Sequence, residues 1–146
     1  MFSLYSKDFL EANIADFIIP SEKVAHVQKT NTLEHALLVL TKSGYSSIPV
    51  LDPQFRLQGL ISSSLITDSI LGLEHIEFDK LDQKKVEEVM EVDFPTISLQ
   101  TQFKKALELL IDRPFLCVVD DEGFFEGIMT RRVILKQLNR NLHNEA

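Results

Sequence analysis

Apolar residues recur at helical spacing in two stretches, Leu33, Ala36, Leu37, Leu40 and Phe103, Ala106, Leu107, Leu110. That spacing predicts two amphipathic helices, with Thr32 and Thr101 placed to cap them. A short strand precedes each, Val24–Val27 and Thr96–Ile97, and a continuous apolar run follows, Ile48–Leu51 and Phe115–Val119, the pattern of a strand buried on both faces. Asp52–Phe55 and Asp120–Gly123 are polar and rich in turn formers. A second strand then ends in Gly-x-x-Ser or Gly-x-x-Thr, and closing helices are predicted over Ser64–Leu71 and Arg132–Leu142. Each stretch therefore reads as a β-α-β-β-α unit.

The two units are copies. Asp52 and Asp120, like Gly59 and Gly127, stand 68 positions apart, whereas the helices match at 70 and the lead-in segments, Ile14–Ile18 and Val86–Met90, at 72. Length changes of two residues fall between elements, where loops tolerate them. Each lead-in segment is predicted as a short amphipathic helix, with residues 2–10 left open as its continuation and residues 139–146 as a fraying end. The resulting domains are a first repeat over 1–72, a solvated connector over 73–85 and a second repeat over 86–146. A unit of some 55 residues buries little core alone, so an α/β (α+β) pair packed sheet to sheet about a pseudo-twofold is expected, with a ligand crevice at the junction.

Composition narrows the function. Fifteen basic against 22 acidic residues give a net charge of −7, which disfavours general attraction to nucleic acid or anionic lipid. The longest apolar runs, Ala36–Leu40 and Phe115–Val119, are five residues each, against the ~20 of a spanning helix. The absence of a signal-like start and a single cysteine, Cys117, favour a cytoplasmic location.

Little suggests catalysis. His26, His35, His75 and His143 are scattered, Cys117 reads as a small core residue, and no nucleophile with its base or paired carboxylates stand out. Asp120–Gly123 lacks the later ligands of a calcium loop and reads as a turn. Neither a metal nor an enzymatic activity is expected. The sharpest local feature is Thr130-Arg131-Arg132, two guanidiniums at a helix start where backbone N–H groups already favour an anion. It reads either as a phosphate site or as a solvated helix start, since adjacent helical side chains diverge by about 100°.

The ordered set Ala36, Gly44–Asp52 and Gly59-Leu60-Ile61-Ser62, repeated as Ala106, Phe115–Asp120 and Gly127-Ile128-Met129-Thr130, resembles the cystathionine-β-synthase (CBS) domain, a family normally found as tandem pairs. Asn13–Phe17, Lys23–Val27, Leu33–Lys42 and Gly127–Val133 look like the stand-alone cyclic-di-AMP-binding CBS proteins of Gram-positive bacteria. That resemblance implies a homodimeric second-messenger receptor whose occupancy controls a protein partner such as the bifunctional alarmone synthetase/hydrolase of the stringent response. It also implies ligand residues Lys23, Ala25, Tyr45, Ser46, Ser47, Ile48, Thr130, Arg131 and Arg132, with no cofactor beyond the nucleotide. Ser46 and Ser47 read equally as turn formers, and Tyr45 as a stacking ring or a half-buried core residue.

Many adenosine-binding CBS motifs place a ribose-gripping Asp where this chain has Leu65 and Val133. The departure disfavours AMP or ATP and suits a nucleotide whose 3′ oxygens are esterified. The mirror set, Gly59–Ser64 with the Thr96 strand and Arg113-Pro114-Phe115, lacks an arginine pair and is expected to be poor or empty. An AMP, ADP or ATP sensor and a purely structural interaction module are the alternatives.

Overall fold

The computed structural model describes residues 11–144. In chain order the strands and α-helices are β1 (Ile19–Pro20), β2 (Val27–Gln28), α1 (Leu33–Ser43), β3 (Ser47–Leu51), β4 (Leu57–Ser62), α2 (Ser63–Ile70), α3 (Lys80–Gln83), β5 (Thr96–Ile97), α4 (Phe103–Leu110), β6 (Phe115–Val119), β7 (Phe125–Thr130) and α5 (Arg131–Asn144). Single 3₁₀ turns occupy Ile14–Asp16, Ser21–Lys23 and Val86–Glu88. The lead-in segments are thus one-turn 3₁₀ elements, too short to close an α-helical ladder. The proposed continuation over residues 2–10 lies outside the described residues. No helix among the described residues is long and apolar enough to cross a membrane.

Residues 25–94 form one compact unit. Its sheet has the order β2-β3-β4, with β2 parallel and β4 antiparallel to β3. Leu33, Ala36 and Leu40 of α1 bury one helical stripe against Val27, Ile48, Val50 and Ile61 of the sheet. Thr32 caps α1 by accepting the His35 N–H at 3.2 Å, and Gly44, at φ 79°, ends it in the left-handed conformation that glycine adopts at little cost. Val86, from the lead-in to the second repeat, completes this core.

The second unit joins residues 11–24 to the chain from residue 95 onward. Its sheet has the order β1-β7-β6-β5, β1 and β6 both running antiparallel to β7 and β5 parallel to β6. Phe103, Ala106 and Leu110 of α4 pack with Leu116, Val118 and Met129, and Ile14 and Phe17 close the core from the other end of the sequence. The Phe17 and Phe103 rings lie 4.9 Å apart. Cys117 is 1% exposed within β6, as expected of a core residue, and burial pushes its thiol up to about 12.

The compact units are therefore not the sequence repeats: each repeat hands its lead-in segment to the other's sheet. The glycine of each Gly-x-x-Ser/Thr motif permits this. A Cβ on Gly127 would stand 2.2 Å from the Ile19 carbonyl oxygen, and one on Gly59 would stand 2.8 Å from that of Glu91. Only glycine lets the incoming strand lie so close. Leu60 and Glu91 exchange both main-chain hydrogen bonds, at 2.9 and 2.8 Å.

One local expectation changes and another gains detail. Helix α4 starts one residue later relative to its threonine than α1 does, so Gln102 is its N-cap and makes no side-chain bond. Thr101 instead accepts the Ser98 N–H at 3.0 Å. The connector has no buried residue over 73–85, and it is ordered as well as solvated: Leu71 and Ile76 pair across a short bridge, α3 lies within it, and Leu81 packs on the core.

Candidate functional site

The two Asp turns hold the strands above which the site residues stand. Asp52 Oδ1 accepts the N–H groups of Gln54 and Arg56, both at 2.9 Å, and Asp120 Oδ1 accepts those of Glu122 and Phe124 at the same distance. These bonds satisfy turn donors that would otherwise be orphaned. The fourth residues of the two turns share a left-handed backbone on unlike side chains: Phe55 holds φ 70° where Gly123 holds φ 87°, and the Phe55 ring meets His26 edge-on at 5.5 Å.

In the unit of residues 25–94, the parallel ladder covers only Val27–Gln28 with Val50–Leu51. Ala25 and Ile48 lie two residues short of it, so their main chain stands outside the ladder. Ile48 is buried in the core and has only its backbone to offer a ligand. Tyr45 is 44% exposed, which removes the core reading and leaves its ring free to stack. The Ser46 carbonyl accepts the Ser63 N–H at 3.1 Å, tying the start of α2 to the strand, while the Ser46 side chain is exposed. Ser47 begins β3 and is half-buried.

In the other unit, the Pro114 carbonyl accepts the Arg131 N–H at 3.1 Å, the counterpart of the Ser46 bond. Thr130 caps α5 by accepting the Val133 N–H at 3.1 Å, as Ser62 caps α2 through Leu65 at 3.2 Å. The Ser/Thr of the motif is thus first a helix cap. Arg131 and Arg132 occupy a first turn that contains no acid. Two cations at the positive end of a helix dipole are unfavourable until an anion joins them.

The arginines divide their work. Arg131 Nε donates to the Leu110 carbonyl at 2.7 Å and its Nη2 to that of Ile111 at 2.9 Å. It therefore closes the C-terminal end of α4, which lacks the glycine that ends α1, since Asp112 stands where Gly44 does. That missing glycine is the signal in the sequence that could have pointed to this bond. Arg132 is exposed and makes no hydrogen bond or ion pair among the described residues, and neither does Lys23 at the end of its 3₁₀ turn, which packs against β7.

Counting from the strand ladders matches Ala25 with Pro95, Lys23 with Asp93, Ser46 with Pro114, and Ser63-Ser64 with Arg131-Arg132. Proline has no N–H to give. The mirror set therefore loses two main-chain donors and all three cations at the corresponding positions, while Arg113 stands where Tyr45 does. Among the described residues no cluster of His, Cys, Asp and Glu could hold a metal ion.

Two sheets of this topology, each closed by a glycine that admits the other repeat's lead-in, describe a tandem repeat module. The chain belongs to the CBS domain family, whose model matches residues 14–72 and 86–140. It is similar to the cyclic di-AMP receptor B of Bacillus subtilis (strain 168), 54% identical over 144 residues that cover 99% of this chain and 98% of the relative. The CbpB protein of Listeria monocytogenes, solved in complex with c-di-AMP, is 60% identical with a TM-score of 0.84, covering 89% of this chain and 97% of that one. A CBS domain-containing protein of Bacillus anthracis is 58% identical with a TM-score of 0.85, covering 92% and 98%.

Proposed function

We propose that this chain is a cytoplasmic receptor for cyclic di-AMP that regulates a protein partner by occupancy rather than by turnover. The observation that carries the reading is the 54% identity, over nearly the whole of both chains, to a protein named as a cyclic di-AMP receptor. The 60% identity to a homologue solved with that nucleotide supports it.

Arg132 and Lys23 are the phosphate cations in this reading, because each is exposed with no bond to a described residue. Arg131 holds Arg132 and the start of α5 in place through the α4 carbonyls and keeps further guanidinium donors for the ligand. Ala25 lets a base approach the backbone, with the Ile48 main chain beside it. Tyr45 offers a stacking face, Ser46 and Ser47 offer hydroxyls, and Thr130 sets the helix start. Leu65 and Val133 offer no carboxylate to a ribose diol, which fits a 3′-esterified nucleotide.

The partner in this reading is an enzyme such as the alarmone synthetase/hydrolase, engaged by a homodimer of this chain. Linkage sets the rule for control: a partner that prefers the empty form weakens nucleotide binding by the factor with which nucleotide weakens the partner.

The test is a thermal-shift panel with cyclic di-AMP, cyclic di-GMP, AMP and ATP. At 100 times its dissociation constant the cognate ligand adds ~2.7 kcal/mol, a rise of roughly 5–10 °C. A shift with cyclic di-AMP alone is expected. A shift with AMP or ATP would assign an energy sensor, and no shift would leave a structural module.

A further inference from the structure

We propose that the loop over residues 71–79 is a docking surface for a basic, apolar segment of a partner protein. Four large apolar side chains are exposed within eight residues: Leu71, Ile76, Phe78 at 65%, and Leu73, fully in solvent at 106%. Leu71 and Ile76 face each other across an antiparallel bridge, so their side chains share one face of the loop.

This loop is held, not slack. Gly72 N–H donates to the His75 carbonyl at 2.8 Å and Glu77 N–H to the Ile70 carbonyl at 2.7 Å. A Cβ on Gly72 would stand 2.9 Å from the His75 carbonyl oxygen, so glycine suits this tight turn. Glu77 pairs with Lys80, which holds its carboxyl below the usual range, and Lys84 Nζ donates to the Ser69 carbonyl at 3.3 Å. Leu81 then anchors the following helix in the core. A connector that only spans distance gains nothing by ordering leucine and phenylalanine toward water.

Charge selects the occupant. The loop carries Glu74, Glu77 and Asp79; Lys80, just past its end, is taken up by Glu77, which leaves the carboxylates of Glu74 and Asp79 to face a partner, within a chain of net charge −7. Glu74 and Asp79 make no ion pair among the described residues. Apolar anchors with an acidic rim complement a segment that alternates leucine-like and lysine-like positions, and they repel an equally acidic second copy of this chain. The proposal deepens the reading of the chain as a regulator of a protein partner and rests on that half of it alone.

The probe is a fluorescent amphipathic peptide of about 18 residues with leucine on one helical face and lysine on the other, with glutamate replacing lysine in the control. The wild-type protein is expected to bind the lysine peptide at least about tenfold more tightly than the Leu73→Ser/Phe78→Ser variant and to ignore the glutamate peptide, with affinity falling as salt rises. Equal affinity for the variant, or equal binding of the glutamate peptide, overturns the proposal. A fall in solution molar mass in the variant would assign the surface to a second copy and overturn it as well. The melting temperature of the variant, with and without cyclic di-AMP, separates the two readings. An unchanged nucleotide shift with lost peptide binding places the failure, or the success, in this loop alone.

Discussion

Where the first repeat has Lys23, Ala25 and Ser46, the second has Asp93, Pro95 and Pro114; where the second has Arg131 and Arg132, the first has Ser63 and Ser64. The frames beneath these residues are the same, down to the 2.9 Å bonds of Asp52 and Asp120 and the main-chain tie from the closing helix to the strand start. Position by position, the residues proposed to bind include three cations and intact backbone donors. Their counterparts are an acid, two serines and two prolines, with Arg113 where Tyr45 stands. Duplication has kept what folds and divided the residues proposed to bind.

The largest test of this comparison lies in the shared frame. Gly127→Ala is expected to cost more than ~3 kcal/mol in urea unfolding, because the new methyl meets a main-chain oxygen at 2.2 Å. Gly59→Ala should cost less, about 1–3 kcal/mol, since its main-chain clash, with the Glu91 oxygen, is milder at 2.8 Å and its nearest neighbour is the flexible Met90 Sδ at 2.6 Å. Equal costs would mean that the two lead-in segments are held alike.

Next comes the division of binding. Arg132→Met should weaken cyclic di-AMP by the ~1.5–3 kcal/mol of a charge-assisted bond, roughly 10- to 150-fold, with an unchanged melting temperature. Arg131→Met should instead lower stability by about 1 kcal/mol by freeing the α4 carbonyls, a value discounted for exposure. The reverse graft, Ser63→Arg with Ser64→Arg and Asp93→Lys, should leave calorimetric stoichiometry at one nucleotide per chain, because Pro95 and Pro114 still lack their donors. A second equivalent would show that charge alone makes the site.

Smaller effects separate the turns. Gly123→Ala should cost about 1 kcal/mol, since alanine resists a left-handed backbone. Phe55→Gly should change stability by less than about 0.5 kcal/mol, the relieved strain being offset by the lost His26 contact and by chain entropy. Guanidinium melts of both variants decide this.

The smallest effect at neutral pH concerns Cys117, which stands where the first repeat has Pro49. Its folded pKa, about 12, lies above the ordinary 9.0, so between those values the folded state holds a proton that the unfolded state has lost. Its contribution is complete below pH 9.0 and falls as pH rises toward 12. Melting curves across that window should decline more steeply for the wild type than for Cys117→Ala.

Much of the frame was legible from residues alone, because the duplicated spacings of Asp52, Gly59, Asp120 and Gly127 fall on features that geometry demands. The helix stripes of α1 and α4 were legible for the same reason. What stayed hidden was decided by tertiary pairing. β1 is two residues long and carries no period, so nothing local says that Ile19 pairs with Ile128. Thr101 looked like Thr32 until the helix began one residue further on. Arg131 and Arg132 are identical as letters, and only the open end of α4 distinguishes the one that braces from the one that is free.

The traded lead-in segments also order events during synthesis. Every residue of the unit 25–94 has left the ribosome while the second repeat is still being made, so that unit can close on a nascent chain. The segment ahead of it cannot: β1 has no partner until β7, more than a hundred residues later, has emerged. Residues 11–24, translated before that unit, are thus housed after it, and a chain broken off before Thr130 leaves them stranded while the unit behind them is finished.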